Sequence, residues 1–511
     1  MTPHSPSLPL SCLLFLTVLL VVGPRLATAH PYEDPRTLRG TGLPLDVTAV
    51  VVTPLRAARS AFATGRTVDR IGRRQLRELQ ADTAHDALRE TPGVTVQQTN
   101  RGAGIPVIRG MVGPSNLVMV DGLRFNQATW RTGPSQYLTT LDPSAFRAFE
   151  VLSGPASVQY GAGAMGGVTA ALPWRLRTSQ GIGARGALRL VSQDQTASGQ
   201  LHLSGRRGAF VGGLGGAIRS HGALTSGGGV VVPLSDWQQR AWHGSVGWQL
   251  AERTWLRASL RSARIGHAGR VDQLARGRLR IYDNADDYAS LDLRHRASGS
   301  LRELRVALAF HRSDEQVARF DCAGSGTTQA DFAQCVQAAD GLYDRPSGTP
   351  DANLKRERRY QDTVSTLGAL AKATFAFSGL GLDVGVEAWR DKVDTSTLRA
   401  RQASGNWSWA DASRGNFSAD TTWLESGLWA ALNATLWQGG DTRLLVTAGA
   451  RGAHFRGEAV AVPGLSAVNG GDVRYSHTGL VGSGGVRLVA DQRWMLYADI
   501  SQGFRSPNVQ E

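Results

Sequence analysis

From about residue 183 onward, the chain consists of segments of roughly ten residues in which apolar and polar side chains alternate. Residues 382–388 put Leu, Val, Val and Ala on one face and Asp, Gly and Glu on the other, and similar runs lie near 198–206, 241–250, 254–262, 303–311, 424–437, 443–451 and 496–501. A period of two residues predicts β-strands with one apolar face. After residue 30 there is no run of eighteen apolar residues, which excludes transmembrane helices.

The N-terminal segment has the features of an export signal. Residues 8–22 are mostly apolar, and Ala27-Thr28-Ala29 offers a small-residue cleavage site. We therefore predict a signal peptide over residues 1–29. An exported chain without transmembrane helices can span a membrane only with β-strands, so a β-barrel is expected.

A water-soluble β-sandwich would show the same alternation, and the connections between strands favour the barrel. Some connections are a few residues long, such as 251–253 and 439–441, whereas 313–360 and 392–420 are predicted to be very long loops. Short turns at one end and long loops at the other are typical of outer-membrane barrels. Trp residues near strand ends suit the aromatic girdles at the membrane surfaces: Trp242, Trp248, Trp255, Trp423, Trp429, Trp437 and Trp494.

The charge balance is strongly basic. The chain has 56 Lys or Arg residues against 42 Asp or Glu residues, which gives a formal net charge of +14. Such a balance is common in proteins that bind nucleic acid. An exported membrane protein does not meet nucleic acid, so we predict no such partner and assign the charge to the lumen, the loops and the N-terminal domain.

Removal of the signal peptide leaves two cysteines, Cys322 and Cys335, in one of the predicted long loops. An even pair in an exported protein favours a disulfide, with two free thiols as the alternative. The eleven His residues form no HExxH motif, and no serine lies in a GxSxG motif. We therefore predict no catalytic residues, no metal site and no cofactor.

Between the leader and the strand-rich region lies a predicted compact mixed α/β domain over residues 56–175. Residues 70–90 are helical in character, with Asp82 or Thr83 as a helix cap, Asp86 three residues after Thr83 and a stop at Pro92-Gly93. Residues 94–172 alternate short strands with turns rich in Gly and Pro.

Three stretches of this domain are specific in order and spacing. They are Pro92-Gly93-Val94 with Ile108-Arg109-Gly110; residues 118–126, with Asp121, Gly122 and Arg124; and residues 149–168, with Glu150, Gly154, Pro155, Tyr160, Gly161, Gly166 and Gly167. They closely resemble the plug-domain motifs of TonB-dependent outer-membrane receptors. Near the C-terminus, Gly503-Phe504-Arg505-Ser506-Pro507-Asn508 resembles a late barrel-strand motif of that family, which usually has Ala at the place of Ser506.

The residue types of these motifs have physical reasons. Gly154 and Gly161 fit tight turns, and Gly166-Gly167 allows backbone to approach backbone. Arg109, Glu150 and Arg124 are expected to pair with one another, with charges on a barrel wall, or locally in solvent.

The resemblance implies a transmembrane antiparallel β-barrel of the 22-stranded type over residues 176–511, filled by the plug, in the outer membrane of a Gram-negative bacterium. It implies energy-coupled uptake of a scarce ligand, which is an iron chelate (siderophore or haem) or cobalamin in this family. It also implies TonB, with its inner-membrane energising complex, as a partner, and contact with outer-membrane lipid.

The resemblance also assigns residues to these roles. The TonB box would lie in the leader, residues 30–55, at Asp46, Val47, Thr48, Ala49, Val50, Val51, Val52 and Thr53. Ligand contacts are expected on the plug apices, at Gln97, Gln98, Asn100, Arg101, Asn126, Gln127, Trp130, Arg131 and Tyr137, and on the loop that contains the two cysteines.

Other interpretations were weighed against this one. A passive surface adhesin, or a docking barrel without transport, has the same strands but gives no reason for the box and the plug motifs. Gly161-x-Gly163-x-x-Gly166 matches a dinucleotide fingerprint, but residues 174–193 contain no acidic side chain for the ribose.

The length of the strand-rich region leads to one more expectation. About 335 residues follow the plug, and the chain ends at Val509-Gln510-Glu511, soon after the late-strand motif. Twenty-two strands of about ten residues each, with long loops, need distinctly more than this. We therefore expect an incomplete barrel that lacks roughly its last third.

Overall fold

The computed structural model describes residues 50–51, 59–60, 65–174, 180–322, 333–339, 354–403, 406–412, 421–459, 473–490 and 494–507. Most of the predicted TonB box, at 46–49 and 52–53, lies outside the described residues, as does the predicted signal peptide. In the part of the chain that is described, no helix is long and apolar enough to cross a membrane.

The N-terminal domain is built around a mixed five-stranded sheet of order β3-β8-β9-β6-β7, in which β6 and β9 run parallel. A hairpin, β4-β5, lies beside it, and the short strands β1 and β2 pair with each other ahead of it. In chain order the elements are β1 (Val50–Val51), β2 (Arg59–Ser60), β3 (Val68–Gly72), α1 (Arg73–Glu78), α2 (Ala84–Leu88), β4 (Val94–Asn100), β5 (Ala103–Ile108), β6 (Asn116–Val120), β7 (Leu123–Arg124), β8 (Phe146–Ser153), α3 (Ser157–Tyr160) and β9 (Gly167–Pro173).

The region predicted to be one helical stretch, 70–90, contains the end of β3 and two short helices. Thr83 caps α2: its hydroxyl accepts a hydrogen bond from the amide of Asp86 at 3.1 Å and donates one to the Asp86 carboxylate at 2.7 Å. These two hydrogen bonds confirm Thr83 as the cap of α2. Leu88, the last residue of this helix, is fully buried. The prediction of a single stretch is wrong because β3 pairs with β8, and this tertiary contact outweighs the local helical preference.

The rest of the chain forms one antiparallel sheet in which nearly all neighbouring strands follow each other in sequence. Its strands are β10 (Gly181–Val191), β11 (Thr196–Arg207), β12 (Phe210–His221), β13 (Trp237–Ala251), β14 (Thr254–Gly269), β15 (Arg278–Arg296), β16 (Leu301–Cys322), β17 (Leu354–Phe377), β18 (Leu380–Ala403), β19 (Asn406–Ala412), β20 (Thr421–Gly439), β21 (Thr442–Ala459), β22 (Val473–Ala490) and β23 (Trp494–Ser501). Strand β18 pairs with both β19 and β20. Within the described residues the sheet is open, with β10 at one edge and β23 at the other.

Alternation along the strands separates an inward face from an outward face. In β16 the inward side chains Ala307, Ala309 and His311 are buried, whereas Leu308 and Phe310 between and beside them are exposed. An exposed face of large apolar side chains is what a lipid-facing barrel wall requires.

The outward apolar side chains form a band of limited height. On β17 the band runs from Leu367, opposite Phe310, to Phe377 near the short turn 377–380. About ten residues at ~3.3 Å each and a tilt of roughly 40° give ~25 Å, the height of a membrane-facing band. Above it the outward face carries ion pairs, such as Arg312–Asp314 at 3.0 Å and Lys392–Asp394 at 3.0 Å, so the lipid-facing zone ends there.

The strands at the long-loop end extend well past this band. Residues 313–322, 354–360 and 392–403 belong to β16, β17 and β18, so the predicted loops 313–360 and 392–420 are wrong over these parts. Above the membrane both faces of a strand meet water or protein, so the apolar alternation that marks a strand in the sequence is lost. One outward face here is covered by a small core that includes Leu274, Leu279, Phe320 and Leu354.

The predicted aromatic girdles are correct for part of the set. Trp242, Trp248, Trp437 and Trp494 are exposed on the outward face near the limits of the band. Trp429 is buried, and its ring lies 6.0 Å from the Lys372 ammonium. It faces inward because successive side chains of β20 alternate between the two faces of the sheet and Trp429 takes an inward position.

The N-terminal domain fills the inside of the curved sheet, and the two share one hydrophobic core. Plug residues such as Phe125, Phe146 and Phe149 pack in the same cluster as inward-facing residues of β15–β18. The barrel members of this cluster are Tyr288, Ala307, Ala309, Leu370 and Trp389. We refer to the N-terminal domain as the plug and to the long-loop end of the lumen as the mouth.

Candidate functional site

The plug motif Val120-Asp121-Gly122-Leu123 forms the tight turn between β6 and β7. Asp121 and Gly122 have φ angles of 53° and 75°, the pattern of a two-residue hairpin turn that favours Asp-Gly. The Asp121 carboxylate lies 3.2 Å from Arg257 of the wall, and Arg305 donates to the Asp121 carbonyl at 2.8 Å. The turn therefore docks the plug against β14 and β16.

The electrostatic surroundings of Asp121 predict an acid-sensitive contact. Burial alone would raise its pKa, but four neighbouring guanidinium groups, led by Arg257, outweigh burial and lower the pKa of Asp121 to about 2. Because the folded pKa lies below the ordinary value of 3.8, the stabilisation is fully present above about pH 4 and is lost as the pH falls towards 2. We expect the plug to become more accessible to an acid-active protease across that window. Asp121→Asn should flatten this dependence, and an unchanged profile in that variant would contradict the assignment.

The glycines of the third plug motif lie where a side chain would not fit. Gly154 and Gly161 have φ angles of 100° and 82°. A Cβ on Gly161 would lie 2.8 Å from both the Arg451 guanidinium and the Glu425 carboxylate of the wall. A Cβ on Gly166 or Gly167 would collide with Asn116 or with the Leu152 carbonyl. These glycines let the plug backbone pack closely on itself and on the barrel.

A group of buried charges joins the plug to β18, β20 and β21. Arg124 forms an ion pair with Glu425, and the same carboxylate accepts a hydrogen bond from the Ala162 amide at 3.2 Å. Arg124 also donates to the Ala162 carbonyl. Next to this contact, Arg451 pairs with Glu387 at 2.8 Å within the wall. Of the pairings considered for Arg124, the structure therefore shows the one with the barrel wall.

The two other charged motif residues, Glu150 and Arg109, lie within the plug. Glu150 is fully buried in β8, opposite Arg70 of β3. Arg109 has a φ of 49° next to Gly110, and its guanidinium lies beside Gly154. Arg109 thus connects the first and the third motif stretches within the plug.

The first predicted apex, 97–102, is the turn between β4 and β5 and touches the wall near the mouth. Arg101 forms an ion pair with Asp194, and the Asn100 amide donates to the Gly269 carbonyl. Gln98 accepts a hydrogen bond from Arg89 at 2.6 Å. Gln97 is exposed. The side chains of this apex are thus divided between wall contacts and solvent.

The second predicted apex, 126–136 with Tyr137 beside it, is mostly buried against β16–β18. Asn126 bonds within the plug: its carbonyl accepts from the Val118 amide at 2.6 Å and its amide donates to the Asn116 carbonyl at 3.0 Å. The Gln127 amide lies 3.1 Å from the ring of His311, which in turn contacts Asp286 at 2.8 Å.

Three further residues of this apex make a polar and aromatic cluster at the mouth. Arg131 forms an ion pair with Glu315 of the wall and donates to the Tyr137 hydroxyl at 2.9 Å. The ring of Trp130 lies 4.8 Å from that of Tyr137. Arg131 thus links a plug apex directly to β16, so a ligand that engages it would act on the plug–wall contact.

The cysteine loop also lies at the mouth. Cys322, the last residue of β16, and Cys335, in the helical turn 333–339, form a disulfide across a separation of 13 residues. Cys335 is buried in the small core that covers the outward face of the strand extensions. The disulfide therefore ties the loop to the wall beside the mouth.

The wall-side partners of the plug are the functional residues that sequence reasoning missed. They are charged side chains at inward positions of the wall strands: Arg219, Arg257, Glu315 and Glu425. The alternation marks such positions as inward, but it does not show which plug residue each one meets. Among the described residues, no group of three or more His, Cys, Asp or Glu side chains is placed to hold a metal ion.

Comparison with known protein families gives two matches along the chain. Residues 60–168 match the model described as the TonB-dependent receptor plug domain. Residues 233–511 match the model described as the TonB-dependent receptor-like β-barrel.

Individual relatives match shorter parts. The chain is 33% identical over 152 residues to a hemin receptor of Yersinia pestis, which covers 30% of this chain and 22% of the relative. It is 33% identical over 121 residues to the vitamin B12 transporter BtuB of Vibrio vulnificus, which covers 23% of this chain and 19% of the relative. The matches thus span about a fifth of the length of these curated relatives.

A solved structure, the copper transporter OprC, superposes on the chain with a TM-score of 0.67 at 19% identity. The superposition covers 84% of this chain and 61% of the other. This likeness shows that the two share a fold.

Proposed function

The chain belongs to the TonB-dependent receptors, and we propose that it takes up a scarce ligand, namely an iron chelate (siderophore or haem) or cobalamin, by energy-coupled transport. Members of this family are outer-membrane proteins of Gram-negative bacteria and are not enzymes. The observation that best supports transport is a separate domain that lies inside a membrane-spanning sheet and contacts it through ion pairs as well as through a shared apolar core. A barrel that served only as an anchor would not need a removable plug.

The proposed ligand site lies at the mouth, on the two plug apices and the cysteine loop. Its plug contribution would be Gln97, Gln98, Asn100, Arg101, Asn126, Gln127, Trp130, Arg131 and Tyr137, of which Arg131 is the most informative. Because Arg131 bonds to both Tyr137 and Glu315, a ligand that competes for its guanidinium would weaken the hold of β16 on the apex. That change would favour displacement of the plug.

The segment proposed to bind TonB is the box at Asp46–Thr53. We infer that TonB adds this segment as a strand to its own sheet, as extended peptides do at exposed sheet edges. Val50 and Val51 pair in the structure with Ser60 and Arg59, which supports a readiness of this segment to form a strand. Force applied through TonB, with energy from the inner-membrane proton gradient, would then move the plug.

Two of the named relatives are a hemin receptor and a vitamin B12 transporter, which supports both ligand classes. A growth test distinguishes siderophores, haem and cobalamin as the ligand. A deletion strain that expresses this chain is supplied in turn with defined siderophores, haemin or cobalamin as the sole source of the limiting nutrient. We expect growth on one class and its loss when the proton gradient is dissipated. Accumulation that survives loss of the gradient would reject energy coupling and favour the passive adhesin.

A further inference from the structure

A row of arginines crosses the inward face of the wall at the mouth. Arg280 of β15, Arg319 of β16 and Arg358 of β17 lie directly opposite one another in adjacent strands, and Arg399 takes the same register position in β18. Side chains at directly opposite positions have Cβ atoms ~5 Å apart. We call Arg280, Arg319 and Arg358 the arginine row.

Like charges at directly opposite positions destabilise a sheet. Among the described residues, no acidic side chain lies within ion-pair distance of Arg280 or Arg358. Asp321 lies two residues beyond Arg319 towards the loops, on the same face of β16, and is already paired with Arg356 at 3.5 Å. Within the described residues, Arg280 and Arg358 thus place two positive charges without an acidic partner at the ends of the row.

A buried polar atom points to the same place. The Nε atom of Arg358 is buried and has no hydrogen-bond partner among the described atoms. A guanidinium has five donors in a planar fork that matches a carboxylate or phosphate group. A buried donor without a partner costs free energy, which a bound oxyanion would recover.

The layers below the row determine how deep an anion can go. Tyr282 and Tyr360 lie on the same face, two residues deeper in the lumen than Arg280 and Arg358. The Arg319 guanidinium stacks 4.4 Å over the Tyr360 ring. This contact holds the Arg319 side chain in place before a ligand arrives. A further register deeper lie Glu315 and Asp362, which are directly opposite each other. Glu315 is already paired with Arg131 of the plug. An anion would therefore be attracted to the row and would rest on the tyrosines above this ion pair.

We propose that the arginine row anchors a soluble ligand with two or more carboxylate or phosphate groups, spaced about 5–10 Å apart to match adjacent strands. This inference rests on the proposed function, because it names the chemistry of the ligand at the same mouth. Lipid headgroups are excluded as the source, since the row is on the inward face and the plug lies between it and the rest of the lumen. Uncharged ligands gain nothing from the row.

The test is equilibrium binding to the full chain in detergent, with citrate and pyrophosphate as probes and no TonB present. We expect the wild type to bind at least one probe, and Arg358→Gln and Arg280→Gln each to weaken binding by about tenfold or more, since charged hydrogen bonds are lost. Binding should also weaken as ionic strength rises. Binding of citrate alone assigns a polycarboxylate, and binding of pyrophosphate alone assigns a phosphate-bearing ligand.

The matched control is Arg312→Gln, because Arg312 lies on the outward face of β16 and is already paired with Asp314. It should bind the probes as the wild type does. Equal binding by the wild type and both row variants, or no binding of either probe, would overturn the inference.

Thermal unfolding separates anchoring from a structural role. Without anion, Arg358→Gln should unfold at the same temperature as the wild type or higher, because repulsion within the row is relieved. Citrate or pyrophosphate should raise the unfolding temperature of the wild type but not of the variant. A lower unfolding temperature of the variant without anion would show that Arg358 is structural and would overturn the inference. Because neither measurement uses TonB or a proton gradient, a failure of energy coupling leaves the result intact.

Discussion

Val50→Pro is expected to abolish energy-coupled accumulation of the ligand while surface binding stays at the wild-type level. Proline has no amide hydrogen and cannot donate to a strand ladder, so a segment with proline at its centre cannot be added to the sheet edge of TonB. Val50 is not among the residues proposed to contact the ligand, so ligand binding is not expected to depend on it. The measurement compares binding and accumulation of the radiolabelled compound that supports growth, in cells with an intact proton gradient.

Val50→Thr is the matched control, because threonine keeps the amide hydrogen and the β-branched shape of valine. It should accumulate ligand as the wild type does and bind a soluble periplasmic fragment of TonB, which Val50→Pro should not. Wild-type accumulation by Val50→Pro would show that the box lies elsewhere. Loss of binding as well as accumulation would show that the substitution disturbs the folded receptor.

The sequence predicted the parts of this molecule that depend on neighbouring residues. Positive φ angles at Gly154 and Gly161 agree with the tight turns predicted there, and the close packing at Gly166 agrees with the predicted role of the Gly-Gly pair. The Thr83 cap is also a local feature. Each of these depends on contacts within a few residues or on backbone conformations that few residue types tolerate.

What the sequence could not predict depends on pairs that are far apart in the chain. Arg124 and Glu425 are separated by 301 residues, and Arg131 and Glu315 by 184. A pattern of period two shows that Glu315 and Glu425 face inward, but the plug residue opposite each depends on how the plug is rotated inside the wall. The sequence did not predict the strand extensions at 313–322 and 354–360 for another reason. Outside the lipid band neither face of a strand meets lipid, so apolar and polar side chains no longer alternate along the sequence.

Glu425→Gln is expected to loosen the plug more than any other single change considered. Glu425 is almost fully buried, and its carboxylate receives both the Arg124 guanidinium and the Ala162 amide. Glutamine preserves the shape but leaves the Arg124 charge buried without its counter-ion, and breaking a buried pair in this way costs ~3–5 kcal/mol. That cost corresponds to a roughly 150- to 5,000-fold shift in the docking equilibrium. The expected readouts are faster proteolysis of the plug and higher sensitivity of cells to large antibiotics that intact outer membranes exclude.

Two further variants make this expectation specific to the ion pair. Arg124→Gln combined with Glu425→Gln removes both charges and should recover much of the lost stability, since no uncompensated charge stays buried. Glu303→Gln is the control, because Glu303 is partly exposed, 3.9 Å from Arg296, and such a surface pair contributes less than about 1 kcal/mol. If the double variant is as unstable as the sum of its single changes, the two side chains do not act as a pair. In that case the plug must be held mainly by the apolar core that it shares with β15–β18, and TonB would have to work against that core, not against a few charged contacts.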